Sequence, residues 1–154
     1  MATTINSDGL LLRFGRDQGV RGAKAGVTTS TTKMNELVLT VDLEGAARTI
    51  YSTDRNNDGT ADGFSGLDTP IPANARIISQ NAIQLEAPAG GTSFEVGTYL
   101  EDGTVDDADG IRVAAGTNGV QVGTQLTAKR FVGVKTTGAY TAGIYKVIIQ
   151  YMIP

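Results

Sequence analysis

The stretch Ile144-Tyr145-Lys146-Val147-Ile148-Ile149-Gln150-Tyr151-Met152-Ile153 decides the fold class. In an extended chain successive side chains point to opposite faces, so Tyr145, Val147, Ile149, Tyr151 and Ile153 share one face and Ile144, Lys146, Ile148, Gln150 and Met152 the other. Both faces are apolar enough to be substantially covered, which predicts a central strand. Ten residues with β-branched and aromatic side chains and no 3.6-residue stripe argue against a helix.

Working outward, the same period of two recurs at Leu37, Leu39, Val41 and Leu43, set against Glu36, Thr40 and Asp42. That is a half-buried strand. Ala46 to Ser52 is expected to pair back onto it after the Glu44-Gly45 turn, as a hairpin. Pro70 and Pro72 hold the chain extended into a strand over Ala75 to Glu86, where Ile77, Ile83 and Leu85 share one parity. Pro88-Ala89-Gly90-Gly91 reads as a turn. Phe94, Val96 and Leu100 then alternate with Glu95, Gly97 and Tyr99, ahead of an acidic loop at 101–110 and further strands at 111–114 and 129–135. No segment sustains an i, i+3, i+4, i+7 stripe for three turns, and no period of 20 to 50 residues is present. The expectation is an all-β domain, an antiparallel β-sandwich of jelly-roll type, over 35–154.

Ahead of it, 1–34 read as an extended N-terminal arm with a short strand near 9–14 and no regular structure over 15–34, a run of Gly, Thr and charge. The arm is basic. Arg13, Arg16, Arg21, Lys24 and Lys33 face only Asp8 and Asp17 within residues 1–35, while the whole chain carries −3, so the remainder sums to −6. A net negative chain lacks the basic field that displaces phosphate counterions, which excludes nucleic acid as a general partner. The N-terminal residues lack a basic start and apolar run, so synthesis in the cytosol is expected, and no window approaches the length of a membrane span.

The chain has no Cys and no His. Thiolate metal sites, cysteine nucleophiles, disulfides and the commonest general base are therefore excluded. No GxxxxGK[ST], GxSxG or strand-to-helix GxGxxG is present, so phosphate-loop and nucleophile-elbow chemistries have no support. Glu101, Asp102, Asp106, Asp107 and Asp109 could form a carboxylate pair for glycoside hydrolysis, but nothing in the sequence isolates an acid with a raised pKa. The expectation is a binding protein, not an enzyme, with no required cofactor.

One motif has ligand spacing. Asp54, Asn56, Asp58 and Asp62 stand at positions 1, 3, 5 and 9 of a calcium-type loop, with Gly59 at position 6 and the Thr60 carbonyl at position 7. Ser65 occupies position 12, where an EF-hand has Glu, and Asp68 is the carboxylate available to close the loop. A polar, turn-rich surface loop has the same composition.

The whole layout resembles the capsid decoration, or cement, proteins of tailed bacteriophages. The resemblance is carried by Ala2-Thr3-Thr4-Ile5-Asn6, the Arg/Gly-containing arm after Phe14, Pro72-Ala73-Asn74-Ala75-Arg76-Ile77, Val96-Gly97-Thr98-Tyr99-Leu100-Glu101-Asp102-Gly103-Thr104, and Ala139-Tyr140-Thr141-Ala142-Gly143 before a closing strand that ends in Tyr151 to Pro154. It implies a virion structural protein on the outer capsid surface, made in the host cytoplasm, that bridges major capsid proteins and self-associates as a dimer or trimer, without nucleic acid or membrane partners. The five arm cations are the candidate docking contacts. The insertion at 53–69 is not a family feature. The alternative is a glycan- or host-surface-binding module on the virion, using Tyr51, Tyr99 or Tyr140. The calcium reading predicts a melting temperature that rises with added calcium in the wild type and not in Asp58→Ala; identical calcium responses in the two would remove the site.

Overall fold

The computed structural model describes residues 34–51 and 70–154 in full, and 2–5, 11–14 and 23–29 by backbone alone. Ten strands build two antiparallel sheets, and the described residues include no helix. The first sheet holds β1 (Ala2–Ile5), β2 (Leu11–Phe14), β3 (Ala23–Thr29), β4 (Met34–Asp42), β10 (Tyr140–Met152) and β6 (Arg76–Gly90), in that order. The second holds β5 (Thr49–Tyr51), β9 (Phe131–Thr137), β7 (Ser93–Tyr99) and β8 (Val105–Arg112). The expected antiparallel sandwich is present. Its strands divide six and four, with β1 to β4 as a consecutive meander, an order that does not by itself establish a jelly roll.

β10 behaves as its alternation requires. Val147, Ile149 and Tyr151 are buried, and the strand pairs with β4 on one side and β6 on the other. They meet Leu37, Leu39 and Val41 of β4 and Ile77 of β6, and across the sandwich Phe94, Val96, Val132, Val134, Ile50 and Ile111. Removing each such side chain from water stabilises the fold by about 1.5–3 kcal/mol before chain entropy is counted.

The shared parity of Ile77, Ile83 and Leu85 does not survive. Ile77 is buried, whereas Ile83 and Leu85 are 41% and 57% exposed. Tyr151 pairs with Ile77 and Gln150 with Ser79, so Ile78 is an extra residue in the ladder. One extra residue inverts the side chains that follow it, here as far as the next irregularity at Leu85. Gln80, Ala82 and Gln84, opposite Ile149, Val147 and Tyr145, therefore take the inner face, and Ile83, opposite Lys146, turns outward.

Two further expectations are corrected. The segment 46–52 does not form a hairpin with β4; its strand, β5, pairs with β9 in the other sheet. The chain leaves the first sheet at Leu43 and Gly45, whose amides donate to Gly143 and Tyr140 carbonyls, and Arg48 is held by its guanidinium on the Glu44 carbonyl. The acidic segment is not a loop throughout, because β8 starts at Val105. As a sheet edge it has only one neighbouring strand, and charged side chains suit an edge by discouraging stray pairing. Its approach to β7 is close: a Cβ at Gly97 would collide with the Asp107 and Ala108 carbonyls.

Within 15–34, read as unstructured, β3 is a strand on β4. The register sets Ala23, Ala25 and Val27 opposite Val41, Leu39 and Leu37. The side-chain pattern of β3 is too weak to announce this, since Ala, Gly and Thr carry little periodic signal. The exposed ladder of β4 supplies the template. The short strand expected near 9–14 is β2.

From Val113 to Arg130 the chain has turns and bridges only. It closes the side of the sandwich where β8 and β6 would leave a gap: amides of Gly119 and Gln121 donate to Ile111 and Gly110 carbonyls of β8, and those of Gly123 and Leu126 to Ile77 and Ala75. If the bulge sets the parity of β6, Ile77→Ala will cost about 2–5 kcal/mol and Leu85→Ala less than about 0.5 kcal/mol in denaturant unfolding. Comparable losses would contradict it.

Candidate functional site

The carboxylates singled out in the sequence are dispersed into structural contacts. Asp106 meets Arg130 in a two-pronged pair, Nε to Oδ2 at 2.8 Å and Nη2 to Oδ1 at 2.9 Å, and accepts further hydrogen bonds from Thr98 Oγ1 at 2.9 Å and Gln121 Nε2 at 3.2 Å. These donors favour the ionised form, the Arg130 contact most, and hold Asp106 below its ordinary value. Lys129 pairs with Glu101 at 3.0 Å, and Asp102 accepts the Thr104 amide. Asp107 is different: burial, followed by contact with Asp109, raises its pKa. Nothing in this set leaves an acid and a base converging on a common space. Among the described residues no three His, Cys, Asp or Glu are grouped to hold a metal. The calcium-type residues Asp54, Asn56, Asp58, Thr60 and Asp62 lie outside the described residues, as do Arg16, Arg21 and Lys33. Arg13 and Lys24 fall in β2 and β3, where only the backbone is described.

Of the three tyrosines considered for sugar stacking, Tyr99 is completely buried, with its ring edge-to-face on Tyr51 at 5.2 Å and directly above Gly133. Burial first, then the Tyr51 phenol, pushes its pKa up to about 12. This pair is packing on the outer side of the four-stranded sheet and offers no open ring face. Tyr140, the third, lines a cavity.

That cavity, about 200 Å³, sits at the end of the sandwich where the chain crosses between sheets after β4, β6 and β9. Phe94, Tyr140, Tyr145 and Arg112 line it together with Gly90 and Gly91. The glycines belong to the β6–β7 crossing, and any side chain at Gly91 would occupy the space of the Tyr140 ring. Arg112 stands opposite Val96 on β8, which aims it between the sheets, and its guanidinium carbon lies 4.8 Å from the centroid of the Phe94 ring. Tyr145 packs against Phe94 with ring centroids 4.8 Å apart and donates its hydroxyl to Gln84. Sequence reading passed over Arg112 because a lone Arg next to an apolar Ile111 carries no motif.

The outer face of the six-stranded sheet is the second candidate surface. Val38 on β4 lies opposite Ile148 on β10, each half-buried; on β6 Asn81 is opposite Ile148, and the exposed Ile83, opposite Lys146, stands diagonal to it with Leu85 beyond. Lys146, Glu36 and Gln150 border these apolar side chains.

Comparison with protein-family models, with curated proteins and with solved structures returns no match.

The two neighbouring aspartates give opposite pH signatures. Asp106, with its pKa lowered in the fold, contributes stability that is present above the ordinary carboxylate range and is lost as pH falls through its folded value. Asp107, raised, adds a penalty as pH climbs through its folded value. Asp106→Asn is therefore expected to lower stability near neutral pH by about 1–3 kcal/mol, with the difference fading in acid. Asp107→Asn is expected to raise the neutral melting temperature and leave the acid one unchanged. Melting temperatures across the pH range check both signs.

Proposed function

We propose that this chain is a virion structural protein that decorates and stabilises the outer surface of a phage capsid by bridging neighbouring major capsid proteins. The observation that carries the reading is the outer face of the six-stranded sheet. A sheet face left in water is ordinarily polar, yet here Val38 and Ile148 face each other across β4 and β10, with Ile83 diagonal to Ile148 on β6 and Leu85 exposed beyond it, among Asn81, Lys146 and other polar side chains. An apolar centre with a polar rim is the anatomy of a protein-binding surface. The layout resemblance supports the choice of partner, and the basic N-terminal segment, whose strands extend this sheet, supports electrostatic attraction to an acidic shell.

Bridging needs no catalytic group. A protein that binds the assembled lattice and not the dissociated subunits stabilises the lattice by mass action, and a modest contact repeated over many copies suffices. Self-association as a dimer or trimer fits the free edge of β6, which beyond Ile77 has no partner strand outside it among the described residues. Pro88 on that edge limits how far a second strand could extend along it.

A second reading, a glycan- or host-surface-binding module on the virion, is favoured by one observation: the cavity beside Tyr140.

Purified protein is expected to co-sediment saturably with mature undecorated heads at a fixed ratio to the major capsid protein. The double substitution Ile83→Glu with Leu85→Glu touches exposed side chains, so it is expected to leave the melting temperature nearly unchanged and to abolish co-sedimentation. Neutralising Arg13, Arg16, Arg21, Lys24 and Lys33 together is expected to weaken binding and flatten its salt dependence. Wild-type saturation by the Glu variant would overturn the sheet-face assignment, and no binding by the wild type would overturn decoration.

A further inference from the structure

We propose that the cavity at the crossover end of the sandwich binds one carboxylate carried on a small hydroxylated ring, the chemistry of an acidic monosaccharide, with Arg112 as the carboxylate partner. The site is separate from the sheet face that the capsid reading uses.

The argument begins with a missing counter-ion. A guanidinium stays charged at any physiological pH and carries five donors in a planar fork. Arg130 has Asp106, Lys129 has Glu101, and Lys135 has Glu95 at 3.5 Å. Arg112 has no ion pair or side-chain hydrogen bond with any described residue, and its Nε is buried without an acceptor. Among the described residues its charge-compatible neighbours are the Phe94 ring face and the Tyr145 phenol. A cation–π contact offsets only part of the cost of taking an Arg out of water. Burial accordingly disfavours its charged form, with no carboxylate opposing that effect. Arg48, whose Nε and Nη2 are also buried without acceptors, differs in donating Nη1 to the Glu44 carbonyl and in not lining the cavity.

The space in front of it is limited. The half-open cavity of about 200 Å³ is large enough to take a single six-membered ring. Its walls suit such a ring. Phe94 and Tyr145, at 53° to one another, give apolar surface for C–H groups, and the Tyr140 phenol with the Thr92 and Ser93 hydroxyls gives polar groups to meet ring hydroxyls. A lone guanidinium, with no lysine and no helix terminus beside it, matches one negative charge better than the two of a phosphate. A carboxylate is also planar, so it can use two parallel donors of the fork.

For a ligand of this size the affinity falls near the millimolar range. The test is an NMR titration of the intact protein with glucuronate, following the Arg112 Nε–Hε and the Tyr140 and Tyr145 ring signals, with glucose, acetate and inorganic phosphate as the other arms. Saturable shifts at Arg112 and both rings with glucuronate, and at least about tenfold weaker binding of glucose and of acetate, are expected. Arg112→Met is expected to remove those shifts without lowering the melting temperature, because it takes away an uncompensated cation and keeps the apolar stem; a purely structural Arg112 would instead lower it. Glucose binding as tightly as glucuronate would overturn the carboxylate assignment, acetate equalling glucuronate would overturn the ring, phosphate binding more tightly would overturn the ligand class, and silence at every concentration would overturn the site.

Discussion

The burial of Val147, Ile149 and Tyr151 on one face of β10, while its backbone is bonded on both edges, is the constraint on which the rest of the sandwich depends. β4 and β6 can reach β10 only by placing Leu37, Leu39, Val41 and Ile77 on the same face, and that surface in turn demands a second layer. Phe94, Val96, Val132 and Val134 supply it from strands that alternate in the same way. The first sheet is wider because β4 has a free edge, onto which β3, β2 and β1 add in succession through backbone pairing.

Edges explain the placement of charge. β8 closes one side of the smaller sheet; Asp106 on it is paired with Arg130, Glu101 in the turn before it with Lys129, and Asp107 and Asp109 contact each other. The irregular segment from Val113 onward then lies along β8 and reaches across to Ile77 and Ala75, so that the gap between sheets is filled by amides donating to carbonyls and not by a further strand.

The two surfaces with binding potential arise where these rules are relaxed. On the outer face of the larger sheet, the extra residue Ile78 sends Ile83 into water, and Leu85, itself an extra residue in the ladder, is exposed beside it. At the crossover end, Arg112 lines an opening between the sheets without an acid among the described residues to meet it. Relaxed packing and an unmatched cation both carry a free-energy cost in the isolated protein that a partner or ligand could offset.

The sequence by itself determined the all-β class, the alternation of β4 and the buried face of β10, and the exclusion of cysteine and histidine chemistry, because side-chain period and residue inventory are local properties. The tertiary structure alone decided that 46–52 belongs to the second sheet, that 23–29 is a strand, and that Ile83 and Leu85 face outward while Tyr99 is enclosed. Each of these follows from a backbone ladder: a strand is admitted by the free edge beside it, and one extra residue in that ladder reverses a face, neither of which leaves a mark in composition. The cavity around Arg112 was illegible for the same reason, since Arg112 and Phe94 stand 18 positions apart and Tyr140 and Tyr145 come from a third strand, and only the closure of the two sheets brings them together.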